Sequence, residues 1–495
     1  MVSALFKRTV GRSFPLTGVA LLMGLLWVAG TGWAADLTWV GPSNGDWFAS
    51  GNWNPAQAPN TGDTVFITNG YVLLSNTSAP QASLTITNAS LIFTNWGTRL
   101  DVTNVVVLNK GILTLPPAYT NAEMSNRVYV ICSNFFLASG GKIDVAGMGY
   151  RGTNRTTGSG PGAGTGGDRG SGAGHGGRGG RSSTGHVGGN AYGSTNMPET
   201  PGSGGGCRSG GGGPSGNGGG VVRMVASGQV TINGLIDASG KNASAFDAGG
   251  GSGGSIYITA QSFDGTNGSI LADGGSVALS GNDNQGGGGA GGRIAMEAVS
   301  VSPSHTVSFS ARRGTGWFPG EYGSLWFSTN AFLSAAPRSL AGLIVLPEME
   351  WTVNSLTVTN GSIGFMDGFR ATVNNDVLIS GANAELIVGG HRRAFTEFRC
   401  GGNLVLTNSA KCHLFSAPTN GLATTYGALL AVDGRFQVST GSWVFPVSST
   451  NDGGHPAVRG GLSDGRLECR LQCRGFGLGE HLGGNGAGDR SRSGR

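Results

Sequence analysis

Three aspartates have the type and spacing that could support chemistry on a repeated β-structure. Asp144, Asp237 and Asp273 each end a short alternating segment in one copy of a recurring unit, just before a small-residue turn. Aligning the copies places Asp144 and Asp237 in one column and Asp273 two positions away. Carboxylates in register on neighbouring strands lie about 5 Å apart, close enough to bind a cation or to act on a glycosidic bond. We favour the competing interpretation, in which each carboxylate accepts backbone hydrogen bonds at its turn.

Three tryptophans near the N-terminus form the second candidate site. Trp39, Trp47 and Trp53 lie in short segments separated by Gly, Asn and Pro turns within residues 36–82. Their ring faces could support a sugar ring, which would make them ligand-binding residues. We favour burial, because large aromatic side chains are mostly removed from solvent, and we predict that residues 36–82 form a Trp-rich cap over the first repeat.

Other features of the sequence argue against an ordinary active site. The segment His391-Arg392-Arg393, with Glu397, Arg399 and His413, is polar and turn-like, which favours an exposed edge. The glycine run at 286–292 is followed by a strand pattern and not by a helix, so it lacks the context of a nucleotide-binding loop. The sequence has no G-x-S-x-G motif with a matching order of His and Asp, and no Cys/His zinc spacing. We therefore predict no catalytic residues, no metal and no cofactor.

Six cysteines are too few for a disulfide framework in a chain of 495 residues. Cys400 and Cys412 are close enough in sequence to form a disulfide, and Cys132 with Cys207 could join the ends of the largest glycine-rich segment. An oxidising compartment would permit both pairs. The alternative for each pair is two separate thiols that serve as small apolar side chains.

The elements that must position these residues repeat along the chain. Segments beginning at Arg127, Val222, Ser255 and Arg293, and a shorter one at Gly323, share alternating apolar residues; the four longer copies add a small-residue turn and a second alternating segment. A unit of this size cannot bury its own apolar face, whereas stacking on its neighbours can. We predict an all-β fold, a right-handed parallel β-helix (solenoid) with glycine-rich insertions. A β-sandwich or another β-repeat array is the alternative.

Glycine provides 95 residues of the chain and dominates the insertion at 151–220. This insertion has too few side chains to pack a core, so we expect either disorder or close-packed extended glycine chains. Two shorter glycine runs, 248–254 and 286–292, come between later copies in comparable places. The insertions are therefore expected to lie on one side of the stack.

The two ends of the chain differ from the repeats. Basic residues, an apolar run and small residues up to Ala34 predict a secretory signal peptide over residues 1–34, with an uncleaved anchor as the alternative. Residues 459–495 are rich in Arg and lose the alternation, so we expect no fixed structure there, and we hypothesise that this tail is translated out of frame. The net charge of +5 comes entirely from these two ends, which carry +3 each and leave −1 for the rest of the chain, so it gives no argument for nucleic-acid binding.

The repeats fall into two modules. The segment Gly441-Ser-Trp-Val-Phe-Pro446 corresponds to Gly111-Ile-Leu-Thr-Leu-Pro116, at an offset of 330 residues. We predict a first β-solenoid module over 83–345, which carries the insertion, and a second, truncated module over 346–458.

The N-terminal segment carries the patterns T-W-x-G, G-D-W, G-N-W and G-D-T over residues 38–64. This combination resembles the start of exported bacterial surface proteins built from autotransporter-type β-strand repeats, as in planctomycete- and verrucomicrobia-type bacteria. The resemblance implies an extracellular or outer-membrane-associated β-helix with an adhesin-like or structural role. Expected partners are polysaccharide or other cell-surface components, with no nucleic acid and no nucleotide. A carbohydrate-active β-helix enzyme, either a polysaccharide lyase or a glycoside hydrolase, or a carbohydrate-binding module is the alternative.

Overall fold

The computed structural model describes residues 34–120, 124–210, 213–277, 285–333, 340–359, 361–389, 395–415, 427–439, 441–447 and 456–460. Within these ranges the chain is all-β, and its helical turns are two 3-10 segments, Ser50–Asn52 and Asn330–Phe332. None of the described helices is long and apolar enough to cross a membrane. The predicted signal peptide, apart from Ala34, and the tail beyond residue 460 lie outside the described residues.

The strands of the N-terminal part are β1 (Asp36–Trp39), β2 (Gly45–Asp46), β3 (Trp53–Asn54), β4 (Thr64–Ile67), β5 (Tyr71–Leu74), β6 (Gln81–Ile86), β7 (Ser90–Phe93), β8 (Leu100–Val107), β9 (Ile112–Thr114), β10 (Val128–Leu137) and β11 (Lys142–Asp144). The central part contains β12 (Val221–Ala226), β13 (Gln229–Ile232), β14 (Leu235–Asp237), β15 (Ser255–Asp264), β16 (Ser269–Leu271), β17 (Arg293–Val301), β18 (Ser308–Ser310), β19 (Ser324–Phe327) and β20 (Leu340–Val345).

The C-terminal part contains β21 (Glu350–Val353), β22 (Leu356–Val358), β23 (Ser362–Phe365), β24 (Arg370–Val373), β25 (Val377–Ser380), β26 (Glu385–Val388), β27 (Thr396–Cys400), β28 (Leu404–Thr407), β29 (Lys411–Phe415), β30 (Ala428–Val432), β31 (Phe436–Val438), β32 (Trp443–Val447) and β33 (Ala457–Gly460). The last of these reaches two residues into the segment that we expected to lack structure. That boundary of the predicted tail is therefore wrong by two residues.

Strands pair in parallel with strands from the next repeat along the chain. The predicted copies are in register, since Val128 pairs with Val222, Val222 with Ile256, Ile256 with Ile294, and Ile294 with Leu325. Among the described strands, the one antiparallel pair joins β1 to β3. A β-sandwich is built from antiparallel strands, so this pairing favours the parallel array.

The two predicted modules are continuous in strand pairing. β20 pairs with β18 and β19 on one side and with β23 on the other. Beyond β20 the strands form three parallel sheets. One of them continues the large sheet through β23, β26, β29 and β32. The second sheet contains β21, β24, β27, β30 and β33, and the third contains β22, β25, β28 and β31.

The core lies between the sheets, because alternate residues of each strand point inward. Five residues from different repeats test the proposed stacking, and all five are fully buried in one continuous apolar cluster: Leu84, Ile143, Ile236, Ile256 and Ile294. Each such side chain contributes about 1.5–3 kcal/mol of transfer free energy when buried. The alternation seen in the sequence therefore marks the inner face of the strands, as predicted.

The tryptophan-rich opening is shorter than predicted. β1 already pairs in parallel with β4, and Thr64 of β4 pairs with Ser83 of β6. Residues 64–82 consequently belong to the regular parallel array. The part that differs from it is residues 36–54, where β3 folds back antiparallel on β1.

The glycine-rich insertions pack against one another, as expected for insertions on one side. We call them the glycine layer, which comprises residues 149–210, 213–220, 238–254, 272–277, 285–292 and 311–323. Few of these residues are in strands. The backbone N–H groups of six successive residues point in turn to three neighbouring segments: Gly249 and Ser252 to 203–206, Gly250 and Gly253 to 287–290, and Gly251 and Gly254 to 238–241.

This three-residue period is the period of a polyproline II chain. Neighbouring chains approach so closely that there is no room for side chains between them. A Cβ atom added at Gly172 would overlap the carbonyl of Gly288, and one added at Gly250 would overlap that of Gly275. The insertion at 151–220 therefore forms close-packed extended chains over its described residues, which is the second of the two states expected from the sequence, the first being disorder.

Candidate functional site

The aspartate column is in register, as the sequence predicted. Asp144 pairs with Asp237, and Asp237 pairs with Leu271, which places Asp273 two positions beyond the column. Asp144 Oδ1 accepts a hydrogen bond from the Ala146 N–H (3.1 Å), and Asp237 Oδ1 accepts one from the Ser239 N–H (2.8 Å). Both carboxylates therefore hold the turn that follows their own strand.

Asp273 is used in a similar way by the next repeat. Its Oδ1 accepts hydrogen bonds from the Ser310 hydroxyl and from the Arg312 N–H (2.6 Å). Burial raises the pKa of Asp273, which these hydrogen bonds oppose. Within the described ranges no group of three or more His, Cys, Asp or Glu side chains could hold a metal ion. Asp144 and Asp237 hold their own turns, which agrees with the interpretation that we favoured, whereas Asp273 accepts its hydrogen bonds from the next repeat.

The tryptophans do not form a sugar-binding platform. Trp39 and Trp47 are 0% exposed and Trp53 is 1% exposed. Trp53 meets Trp39 and Trp47 edge to face at centroid distances of 5.0 and 5.1 Å, and its Nε1–H donates to the Trp47 carbonyl (2.8 Å). The ligand-binding assignment of these residues is wrong, because no ring face reaches solvent, whereas the burial that we favoured is confirmed.

The two proposed disulfides are also wrong. Cys132, Cys207, Cys400 and Cys412 are all buried and present as thiols. Cys400 lies on β27 and Cys412 on β29, and these strands belong to different sheets. Cys132 lies on β10, whereas Cys207 belongs to the glycine layer, where its backbone forms an isolated antiparallel β-bridge with Thr156. Burial raises the pKa of the Cys132 thiol to about 12, as expected for an unreactive apolar side chain.

The polar segment around His391 is only partly described. His391, Arg392 and Arg393 lie outside the described residues. Glu397 and Arg399 are on β27 of the five-stranded sheet, whereas His413 is on β29 of the large sheet. His413 is therefore on a different sheet from Glu397 and Arg399, although the sequence analysis grouped the three residues.

A different cluster forms around Glu385, and sequence reasoning missed it. The Tyr322 hydroxyl donates to Glu385 Oε2 (2.6 Å) and lies 3.1 Å from the Ser362 hydroxyl. Arg313 Nη2 lies 3.9 Å from Glu385 Oε2, and Lys411 Nζ lies 3.8 Å from Oε1. The guanidinium of Arg313 also lies over the Tyr322 ring at 4.9 Å.

The charges of this cluster decide the state of its carboxylate. Burial alone would raise the pKa of Glu385, but Arg313, His413, Tyr322 and Lys411 together hold it below its usual value. Burial also raises the pKa of the Tyr322 hydroxyl to about 12. Glu385 is therefore ionised at neutral pH, and Tyr322 remains a hydrogen-bond donor.

Aromatic rings continue from this cluster across the last strands of the sheet. One outward row of the register is Glu385, Lys411 and Trp443, and the next is Ile387, His413 and Phe445. The His413 ring stacks on Phe445 at 4.9 Å, and Trp443 lies 6.3 Å from Phe445 with nearly parallel planes. The side chains on β29 and β32 are partly exposed, namely Lys411, His413, Trp443 and Phe445, whereas Cys412 and Val444 between them point into the core. We call Glu385, Lys411, His413, Trp443 and Phe445 the C-terminal face.

The only sequence signal for this face is the alternation of outward polar or aromatic residues on β29 and β32. Its members come from strands 26 and 32 residues apart, as the pairs Glu385–Lys411 and Lys411–Trp443 show. Repeats of unequal length hide such a column when the sequence is aligned by eye.

A second cluster of arginine and aromatic side chains covers the outer face of the N-terminal strands. The guanidinium of Arg127 lies 4.8 Å from the Trp96 ring and 4.6 Å from the Tyr129 ring. Glu199 of the glycine layer lies 3.5 Å from Arg127 and 3.7 Å from Arg223. Because both arginines are mostly buried and paired with the insertion, this cluster fastens the glycine layer to the strands.

A shallow depression of about 440 Å³ lies beside that cluster and is lined mainly by Ala, Ser and Thr, with Glu297 as its one acid. The Tyr257 hydroxyl donates to Glu297 Oε2 (3.1 Å). A single hydrogen-bonded carboxylate gives this depression no acid–base pair.

Comparison with known proteins gives one partial match. The family model of the G8 domain matches residues 52–124, a segment that begins just before β3 and contains β4 to β9. No curated protein and no solved structure matches the chain. The chain is therefore similar to G8 domains over its first repeats, and the glycine layer and the C-terminal face lie outside the matched segment.

Proposed function

We propose that this protein is an exported, non-catalytic scaffold of adhesin type, built as a right-handed parallel β-helix. The observation that carries the proposal is the unbroken series of parallel pairings from β1 through β4, β6, β8, β10, β12, β15, β17, β19, β20, β23, β26 and β29 to β32. At about 4.8 Å per pairing, such a series spans roughly 60 Å. Parallel strands joined by crossover connections are right-handed in nearly all proteins, which supports the handedness.

Export is supported by the basic and apolar N-terminal segment. The similarity to G8 domains over residues 52–124 agrees with it, since G8 domains are found in extracellular proteins generally. A resemblance to autotransporter-type surface proteins remains our proposal for the group to which the chain belongs. Its partners would then be polysaccharides or other components of cell surfaces, reached through many weak contacts along the array.

The non-catalytic assignment is supported by the use made of the acidic residues. Asp144 and Asp237 hold turns, and Asp273 binds the next repeat. Glycoside hydrolysis generally needs two carboxyl groups, one of them protonated, on either side of the bond. The C-terminal face supplies one carboxylate, Glu385, whose pKa is held low. The alternative of a carbohydrate-active enzyme would need a second acid near it.

The test has two parts and uses the full chain. When the chain is expressed with its own N-terminus in a Gram-negative host, we expect it outside the cytoplasm and accessible to added protease. The purified protein should release no new reducing ends or unsaturated sugars from a panel of polysaccharides. Retention in the cytoplasm would overturn the export proposal. Cleavage of any polysaccharide would overturn the non-catalytic assignment in favour of the carbohydrate-active enzyme.

A further inference from the structure

We propose that Lys411, His413, Trp443 and Phe445 form a binding subsite for an acidic polysaccharide, with a uronate as the recognised sugar. The inference rests on the proposed scaffold function and adds a location and a ligand class to it. Three independent features of the C-terminal face support the subsite: its aromatic rings, its exposed charge and the unpartnered Nε2 atom of His413.

The rings provide an apolar platform of the right kind. Trp443 and Phe445 point outward from the same strand, because Val444 between them is fully buried. Their planes differ by 26°, and the His413 ring lies 18° from the plane of Phe445. Nearly parallel, partly exposed rings offer flat apolar faces beside polar groups, which suits the C–H faces of a pyranose ring.

The exposed charge beside the rings is positive. The single carboxylate of Glu385 lies near two cations, Arg313 and Lys411, so the group keeps one net positive charge. The side chain of Glu385 is 11% exposed, whereas that of Lys411 is 40% exposed. Lys411 is also the register neighbour of Trp443. An approaching ligand therefore meets an ammonium group next to an indole, which favours a carboxylate-bearing sugar over a neutral one.

One polar atom at this face, His413 Nε2, has no hydrogen-bond partner among the described residues. A buried polar atom without a partner costs about 1–3 kcal/mol, so such atoms indicate a group that is supplied from elsewhere. Burial lowers the pKa of His413 to about 4, so its ring is neutral at pH 7. A neutral imidazole suits a hydroxyl group of a sugar, and Lys411 is the partner of the sugar's carboxylate.

Affinity electrophoresis of the full-length protein through gels that contain polygalacturonate tests the proposal. A neutral glucan of similar chain length serves as the second probe. We expect retardation by polygalacturonate that weakens with salt, and at least tenfold weaker retardation by the glucan. In polygalacturonate, Trp443→Ala with Phe445→Ala should raise the apparent Kd at least tenfold, and Lys411→Gln about fivefold, with Lys411→Arg retaining most of the binding.

The matched control is Tyr71→Ala, which removes a 51% exposed aromatic ring on β5, far along the array from β32. Equal retardation by both polymers would overturn the uronate assignment, and equal binding by the wild type and Lys411→Gln would overturn the subsite. Lys411→Gln keeps the test decisive if the double variant fails to fold. If the protein is exported but binds neither polymer, this inference is wrong, whereas the proposed scaffold function still holds.

Discussion

The strand array and the glycine layer are two regions of one chain that are stabilised in opposite ways. In the strand array alternate side chains point inward, and the apolar cluster that includes Ile256 and Ile294 supplies the free energy of folding. In the glycine layer the backbone itself is packed, with hydrogen bonds leaving in three directions every three residues. The packing of the strand array depends on its apolar side chains, whereas the close packing of the glycine layer depends on glycine having no side chain.

One arginine joins the two regions. Arg293 belongs to β17 of the strand array and is fully buried. Its Nε–H donates to the Tyr192 carbonyl (2.9 Å), and its Nη1 donates to the hydroxyls of Thr195 (3.1 Å) and Ser324 (3.1 Å). Together with Glu199, it ties a region whose own apolar cluster is small to one that has an extended apolar core. Glycine-rich insertions can therefore be ordered when a neighbouring strand array supplies the attachment.

The largest effect is expected from a single methyl group in the glycine layer. Gly172→Ala should lower the free energy of unfolding by about 3 kcal/mol or more, because the new Cβ would overlap the carbonyl of Gly288 and the backbone cannot rotate away. Urea-induced unfolding measures the change. The control is Gly97→Ala, where no atom lies within 4 Å of an added Cβ. Equal stability of the two variants would mean that the layer is not close-packed.

Truncation in the strand array should have a graded effect. Ile256→Ala should cost about 2–5 kcal/mol and Ile256→Val about 0.5–1.5 kcal/mol, because Ile256 is fully buried and the cost follows the volume removed. The same unfolding experiment compares both with Gly172→Ala. If Ile256→Val were as damaging as Ile256→Ala, the array would share the intolerance of the glycine layer and the contrast would fail.

Acid should destabilise the fold through His175 of the glycine layer and through His413 of the C-terminal face from the same pH, and the loss through His175 should continue to lower pH. Burial, and then the charge of Arg293, lower the pKa of His175 to about 3, whereas that of His413 is lowered to about 4. Each imidazole stays neutral in the fold while the unfolded chain takes up a proton below its ordinary pKa near 6.5. The stability that depends on His175 is therefore lost as pH falls from about 6.5, by about 2 kcal/mol at pH 5.

The measurement is urea unfolding of the wild type, His175→Gln and His413→Gln at pH 7 and pH 5. Glutamine cannot be protonated, so each substitution should flatten the pH dependence, and His175→Gln should flatten it at least as much as His413→Gln at pH 5 and more at lower pH. An unchanged slope in His175→Gln would show that this imidazole is not buried as a neutral group.

The smallest effect is expected from reduction. Because Cys132, Cys207, Cys400 and Cys412 are thiols, dithiothreitol should leave Tm unchanged to within about 1 °C. A native disulfide would contribute about 2–5 kcal/mol and would shift Tm by several degrees on reduction. Such a shift would indicate a disulfide, either among these four cysteines or with Cys469 or Cys473, which lie outside the described residues, and mass spectrometry after thiol alkylation would identify the pair.

Several features were predictable because they depend on periodicity alone. The parallel column through Val128, Val222, Ile256 and Ile294 follows from aligning similar alternating segments, and Asp144 falls opposite Asp237 for the same reason. Turn residues were also predictable where asparagine tolerates a left-handed backbone, as at Asn88 with φ of 49°. The side-by-side placement of the glycine runs followed from their matching positions in the repeats.

Other features depend on distances along unequal loops. The sequence offered Cys400 and Cys412 as neighbours, but one intervening strand and a change of sheet separate them. It separated Glu385, Lys411 and Trp443, which folding places in one row. Proximity in the chain was a poor guide in both cases, because each turn of the array carries a different number of residues between equivalent positions.

The sequence by itself determined that the chain is all-β, that its repeats pair with one another and that alternate apolar residues form the core. These three features follow from the two-residue period of a β-strand, which can be read from each short repeat segment without knowledge of the rest of the fold. Only the tertiary structure decided that the glycine runs pack as three-directional hydrogen-bonded chains and that a carboxylate, a lysine and two aromatic rings meet at the C-terminal face. Both depend on which segments become neighbours, and that is set by the packing of the whole array.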